Sequence, residues 1–124
     1  MNRIAMAEET LIAMTLRQSA LLDLARDLKP GMFSSPLLGR VYDQLRLRHG
    51  QGLEVSLGVL SDLTADEASH MAGICHRQDG PVNEQAYLDC IQIIRSEYDS
   101  AAVSSEDDLL AYRDKLKKSK GIKA

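Results

Sequence analysis

Tryptophan is missing from this sequence and phenylalanine occurs once, so aromatic residues make up 4% of a chain whose apolar share is 44%. A core must then be built from Leu, Ile, Val, Met and Ala, a palette that suits packed helices better than a β-sandwich. Neither sign of charge dominates, with 15 Lys and Arg against 18 Asp and Glu. A net charge of −3 over 124 residues gives no basic surface of the kind that grips nucleic acid. No apolar run approaches the roughly 20 residues of a membrane span, and no signal peptide is visible. The expectation is a soluble, cytoplasmic chain of one main domain that binds neither membrane nor nucleic acid directly.

Chemistry-bearing motifs are equally sparse. The glycines fall in turns and form no phosphate loop, and there is no G-x-S-x-G elbow. Cys75 and Cys90 are the only cysteines, and "HMAGICH", His70 to His76, matches neither C-x-x-C nor H-E-x-x-H spacing. Each cysteine lies on the apolar stripe of its own helix, which predicts reduced, packed thiols and no metal site. Acidic residues gather at helix starts, where they complement the helix dipole. No catalytic, cofactor-binding or metal-binding residue is assigned, and the chain is not expected to be an enzyme or to carry a cofactor.

What is present is helical periodicity. Leu11, Ile12 and Leu16 mark a first helix from Ala5 to about Arg17, with Glu8 and Glu9 suited to its first turn. Leu21, Leu24, Ala25 and Leu28 predict a second, stopped by Lys29-Pro30-Gly31. Ser35 as N-cap and Pro36 at the first position open a third, whose buried face is Leu38, Val41, Tyr42 and Leu45 and whose end is "HGQG". Ser56 caps a short helix with Leu57, Leu60 and Leu63. Thr64 to Glu67 is a capping box before a helix with Ala68, Met71, Ala72 and Cys75 on one face. After the turn at Asp79-Gly80-Pro81, Asn83 starts a helix with Tyr87, Cys90, Ile91 and Ile94 buried and Tyr98 one turn on. These six helices predict an all-α bundle over residues 1–98.

"DSAAVSSEDD" then reads as a linker within residues 99–124, followed by a last helix capped by Ser105. Its acids at Glu106 to Asp108 and its lysines near the far end both complement the dipole, and "KLKKSKGIK" reads as a solvated helix end. Its apolar stripe is narrow: Leu109, Tyr112 and Leu116, with Leu110 beside it. Two partners are open to such a stripe, the chain's own preceding helix or another protein.

One position breaks the pattern. Phe33, the sole phenylalanine, sits between helices in "LKPGMFSSPLLGRVYDQL", where a loop normally carries few large apolar groups. A helix ending in L-x-P, then Phe, then a helix with a Val-Tyr pair resembles the helical domain shared by two bacterial replication proteins. These are the N-terminal domain of the hexameric replicative helicase and the C-terminal, helicase-binding domain of DNA primase. "YLDCIQIIRSEY", Tyr87 to Tyr98, and "DDLLAYRDKLKKSKGI" look like the primase version, whereas "LEVSLGVLSDLTADEASHMAGI" lacks the D-x-x-T pairing of the helicase version. The resemblance implies that Phe33 is a core residue tucked beneath the second and third helices. It also implies a non-catalytic module that docks primase onto the replicative DNA helicase, in a parent enzyme that makes RNA primers. The tail would supply the contact, with Leu109, Leu110, Tyr112 and Leu116 as apolar anchors and Arg113 and Lys117 as flanking charges. The helicase N-terminal domain and an unrelated helical scaffold are the alternatives.

Overall fold

The computed structural model describes residues 2–78 and 80–102. Among them are four α-helices, three 3₁₀ segments and no strand. The helices are α1 (Arg3–Arg17), α2 (Pro36–Gly50), α3 (Ala65–Arg77) and α4 (Glu84–Ala102). The architecture is all-α, as the periodicity predicted, but two of the six anticipated helices are 3₁₀. The last helix, capped at Ser105, lies outside the described residues.

Local chemistry explains most of the boundaries. Asn2 caps α1 by accepting from the Ala5 amide at 2.7 Å, so the helix begins at Arg3, two residues before the periodicity suggested. Ser35 accepts from the Leu38 amide and Pro36 takes the first position of α2, as predicted. At the far end of α2, Gly52 adopts φ 71°. The Gly52 amide donates to His49 and the Leu53 amide to Arg48, a Schellman closure that only a residue comfortable at positive φ can make. Thr64 and Glu67 form both bonds of the capping box before α3. The Thr64 amide, then the Arg40 guanidinium, hold the Glu67 carboxyl below its ordinary value. Asn83 accepts from the Ala86 amide at 3.0 Å and so starts α4 as expected. Ser56 makes no cap bond; its hydroxyl turns to Glu54, and the segment after it is one 3₁₀ turn, Leu57–Val59.

The second predicted helix shows why period matters. Ser19–Ala25 is 3₁₀, and the Leu28 amide continues the i→i+3 pattern to Ala25. With about three residues per turn, Leu22, Ala25 and Leu28 line up and are buried, and Leu21 joins them. Leu24, assigned to the buried face on an α spacing, turns outward and is 41% exposed.

α1 and α4 run antiparallel through the middle. Arg3 lies beside Ser96 and Ser100 at one end, while Thr15 meets Tyr87 near the other. The Arg17 guanidinium then donates to the Gly80 carbonyl just before α4 begins. Leu11, Ile12, Tyr87, Cys90, Ile91 and Ile94 join these helices, and Leu38, Val41, Tyr42 and Leu45 of α2 close the core from the other side. Thr15 and Tyr87 are fully buried. The Thr15 hydroxyl donates to the Leu11 carbonyl at 2.8 Å and lies 2.8 Å from the Tyr87 oxygen. No buried side-chain nitrogen or oxygen lacks a partner among the described residues.

α3 packs differently from its assignment. Met71 and Ile74 are buried, whereas Ala68 and Ala72 are exposed and Cys75 is only half-buried. Small side chains contribute little transfer energy, so the large Met and Ile set the helix's rotation. α4 also runs on to Ala102, through the Asp99-Ser100-Ala101-Ala102 that composition assigned to a linker. No helix among the described residues is long and apolar enough to cross a membrane.

Burial pushes the Tyr87 phenol up to about 12, against the lowering effect of its bond with Thr15, and raises Tyr42 as well. A phenol that ionises later when folded holds its proton more tightly in the native state. Its contribution is full below the ordinary value of 10.0 and is lost as pH rises towards 12. Alkaline titration should therefore couple phenolate absorbance of Tyr42 and Tyr87 to loss of helical ellipticity in that window. Ionisation of all four tyrosines before any helix is lost would contradict the packing.

Candidate functional site

The break between the 3₁₀ segment and α2 is where polar and aromatic groups converge. Two helical segments meet there at an angle, and each leaves unpaired backbone groups: carbonyls at the end of one, amides at the start of the other. Prolines at 30 and 36 prevent a continuous helix. The joint must be satisfied by side chains.

Phe33 fills it. The ring is 8% exposed, stacked in a tilted arrangement on Tyr42 at 4.8 Å between centroids and 34° between planes. The loop thus delivers a core residue, as the resemblance implied. Tyr42 is fully buried, and its hydroxyl lies 2.8 Å from the Leu28 carbonyl and 3.1 Å from that of Ala25. One phenol proton is shared between two terminal carbonyls of the preceding segment. Arg46 donates to the Leu28 carbonyl at 2.8 Å, with its guanidinium 5.5 Å from the Tyr42 ring centre.

The amides that lead into α2 are met by an unexpected residue. Glu8, 1% exposed, accepts from the Ser34 amide at 2.7 Å, the Ser34 hydroxyl at 2.8 Å and the Ser35 amide at 3.2 Å. A carboxylate at a helix N-terminus is favoured both by the free amides and by the dipole. Glu8 therefore serves α2, not the first turn of its own helix. Glu9, 7% exposed, instead receives Arg77 of α3 at 3.4 Å. A signal for Glu8 existed: Glu8, Leu11, Ile12 and Thr15 fall at i, i+3, i+4 and i+7, one buried stripe.

Close approach completes the joint. A Cβ on Gly39 would lie 2.9 Å from the Pro30 carbonyl oxygen and 3.5 Å from the Phe33 Cβ. The loop can cross α2 there only because the side chain is missing. On the outer side, Pro30, Phe33, Pro36 and Gly39 line an open hollow of about 310 Å³.

Chemically, the joint is closed on itself. The Glu8 carboxylate, the Tyr42 hydroxyl and the Arg46 guanidinium all bond neighbouring chain groups, an arrangement that fixes geometry. Elsewhere, His70 and His76 are exposed on α3, and among the described residues no group of three His, Cys, Asp or Glu side chains is placed to hold a metal ion. Burial raises the Cys75 thiol and, with Asp89 nearby, pushes Cys90 up to about 11. Leu109, Leu110, Tyr112, Arg113, Leu116 and Lys117, the expected partner anchors, lie outside the described residues.

Comparison with protein-family models, with curated proteins and with solved structures finds no match for this chain.

Two predictions follow from the joint's geometry. Phe33→Ala should destabilise the fold by about 3–5 kcal/mol and Glu8→Gln by about 1–3 kcal/mol in urea unfolding, the second because a carboxamide has a single accepting oxygen and sets an NH2 donor against a donating group. An unchanged midpoint for either would remove that residue from the joint. Gly39→Ala should lower the melting temperature despite alanine's better helix propensity. Gly73→Ala in α3, where the added Cβ meets only the Arg77 side-chain end at 3.3 Å, should raise it by up to about 1 kcal/mol equivalent. Equal effects at the two glycines would refute the close approach.

Proposed function

We propose that this chain is a helicase-interaction domain of a bacterial DNA primase. It is a binding module, not a catalyst, and docks primase onto the hexameric replicative helicase during primer synthesis in the cytoplasm. What carries the reading is the helix-break-helix joint. A phenylalanine presented by the break after L-x-P is seated on the tyrosine of the Val41-Tyr42 pair, in an all-α fold. "YLDCIQIIRSEY" supports it from α4, where Tyr87, Cys90, Ile91 and Ile94 are the buried face. The joint's polar groups are engaged with one another, in keeping with a scaffold whose binding surface lies elsewhere.

That surface is assigned to Leu109, Leu110, Tyr112 and Leu116, flanked by Arg113 and Lys117. Aromatic and arginine anchors at the centre of an interface typically carry about 2 kcal/mol or more each.

Size-exclusion chromatography of the chain with purified replicative helicase from the same source tests the assignment. Co-elution is expected, and deletion of Ser105 to Ala124 should abolish it while circular dichroism shows the helices intact. Co-elution undiminished by the deletion would move the contact to the bundle. Failure of the full chain to bind helicase, with self-assembly into rings instead, would favour the helicase's own N-terminal domain. Neither binding nor assembly would leave a helical scaffold of another role.

A further inference from the structure

α2 turns Leu38, Val41, Tyr42 and Leu45 into the core, and the stripe on its opposite side is left to solvent. Pro36, Arg40, Asp43 and Leu47 fall there at i, i+4, i+7 and i+11, and all four are exposed. The two ends of the stripe differ in shape. At its start lies the open hollow of about 310 Å³, walled by Pro30, Phe33, Pro36 and Gly39 and reaching Arg40 and Asp43. At its far end stands Leu47, 57% exposed, with Leu53 at 48% just beyond the Schellman closure. Between the two ends are one cation and one anion. Arg40 is shared with Glu67 of α3, and the Asp43 carboxylate has no partner among the described residues.

We propose that this stripe is a self-complementary face on which two copies of the chain pair through antiparallel α2 helices. An exposed leucine alone is ordinary. What selects a second copy is the order of groups along the stripe. A two-fold axis midway between the levels of Arg40 and Asp43 sets each Arg40 against the Asp43 of the other copy. Leu47 lies four residues past Asp43 and Pro36 four before Arg40, so the same axis sets each Leu47 over the other copy's hollow. Charge and shape are thus both matched twice by one operation. Register is selected as well, since sliding the helices until Asp43 faces Asp43, or Arg40 faces Arg40, brings like charges together. A shallow crossing of about 20° keeps the helices in contact over the roughly 16 Å from Pro36 to Leu47. One stripe is small beside the roughly 800 Å² per partner of a standard interface, so the dimer is a weak one in exchange with monomer. The inference concerns α2 alone and does not rest on the helicase reading.

Sedimentation equilibrium of the full chain, from micromolar to millimolar concentration, tests it without helicase. A monomer–dimer equilibrium is expected. Leu47→Glu should weaken it about tenfold or more, whereas Leu88→Glu, at an exposed leucine of α4 away from the face, should leave it unchanged. Both variants should keep the wild-type circular dichroism, because neither side chain is in the core. Arg40→Glu and Asp43→Lys should each weaken self-association, since each sets like charges across the axis. Mixed in equal amounts, these two variants should pair with one another at close to wild-type strength, because opposite charges then face at both contacts. A chain that stays monomeric throughout overturns the proposal, as does a dimer that survives Leu47→Glu unchanged. Charge variants that fail to rescue one another overturn it too.

Discussion

A helical chain that changes direction exposes carbonyls on one side of the bend and amides on the other, and at this bend the flanking Leu28 and the central Phe33 are buried. Everything around Phe33 depends on satisfying those groups. The Tyr42 hydroxyl takes the carbonyls of Ala25 and Leu28, Arg46 takes that of Leu28, and Glu8 takes the amides that lead into α2. Each leaves an apolar consequence behind. Tyr42 must be buried to reach Leu28, so its ring becomes the floor on which Phe33 sits. Gly39 must lack a side chain so that the Pro30 carbonyl can pass. Removing one partner would strand a buried polar group, which costs more than the bond itself contributes.

The joint also ties the layers together. Glu8 belongs to α1, Tyr42 and Arg46 to α2, and the groups they satisfy belong to the loop and the 3₁₀ segment. Thr15 and Tyr87 make an equivalent link between α1 and α4 at depth. α1 is therefore held on one side by α4 and on another by the bend, and its outer stripe is left facing solvent beside α4.

How far the sequence could be read depended on the kind of interaction. Caps at Ser35, Thr64 and Asn83 were legible because donor and acceptor are within three residues of each other. The faces of α2 and α4 were legible because their large side chains repeat at a single period. α3 was misread, since Ala68, Ala72 and Cys75 match the period but bury too little area to compete with Met71 and Ile74. Leu24 was misplaced: it shares the row of Leu21 in the 3₁₀ segment, but the row buried throughout is Leu22, Ala25 and Leu28. The tail residues expected to bind a partner were chosen by their narrow stripe together with the resemblance, and they lie outside the described residues.

The sequence by itself determined the all-α class, the positions of the helix breaks and the aromatic residue that would fill one of them. Local propensity, proline geometry and hydrophobic period act over a few residues, so they are written in the order of the chain. Only the tertiary structure decided that Glu8 holds the amide of Ser34, 26 residues away at the entrance to α2, that residues 19–25 wind as 3₁₀, and that Gly39 must remain bare. Those outcomes depend on which buried groups of distant segments would otherwise go unpaired or collide, and no local window contains both partners.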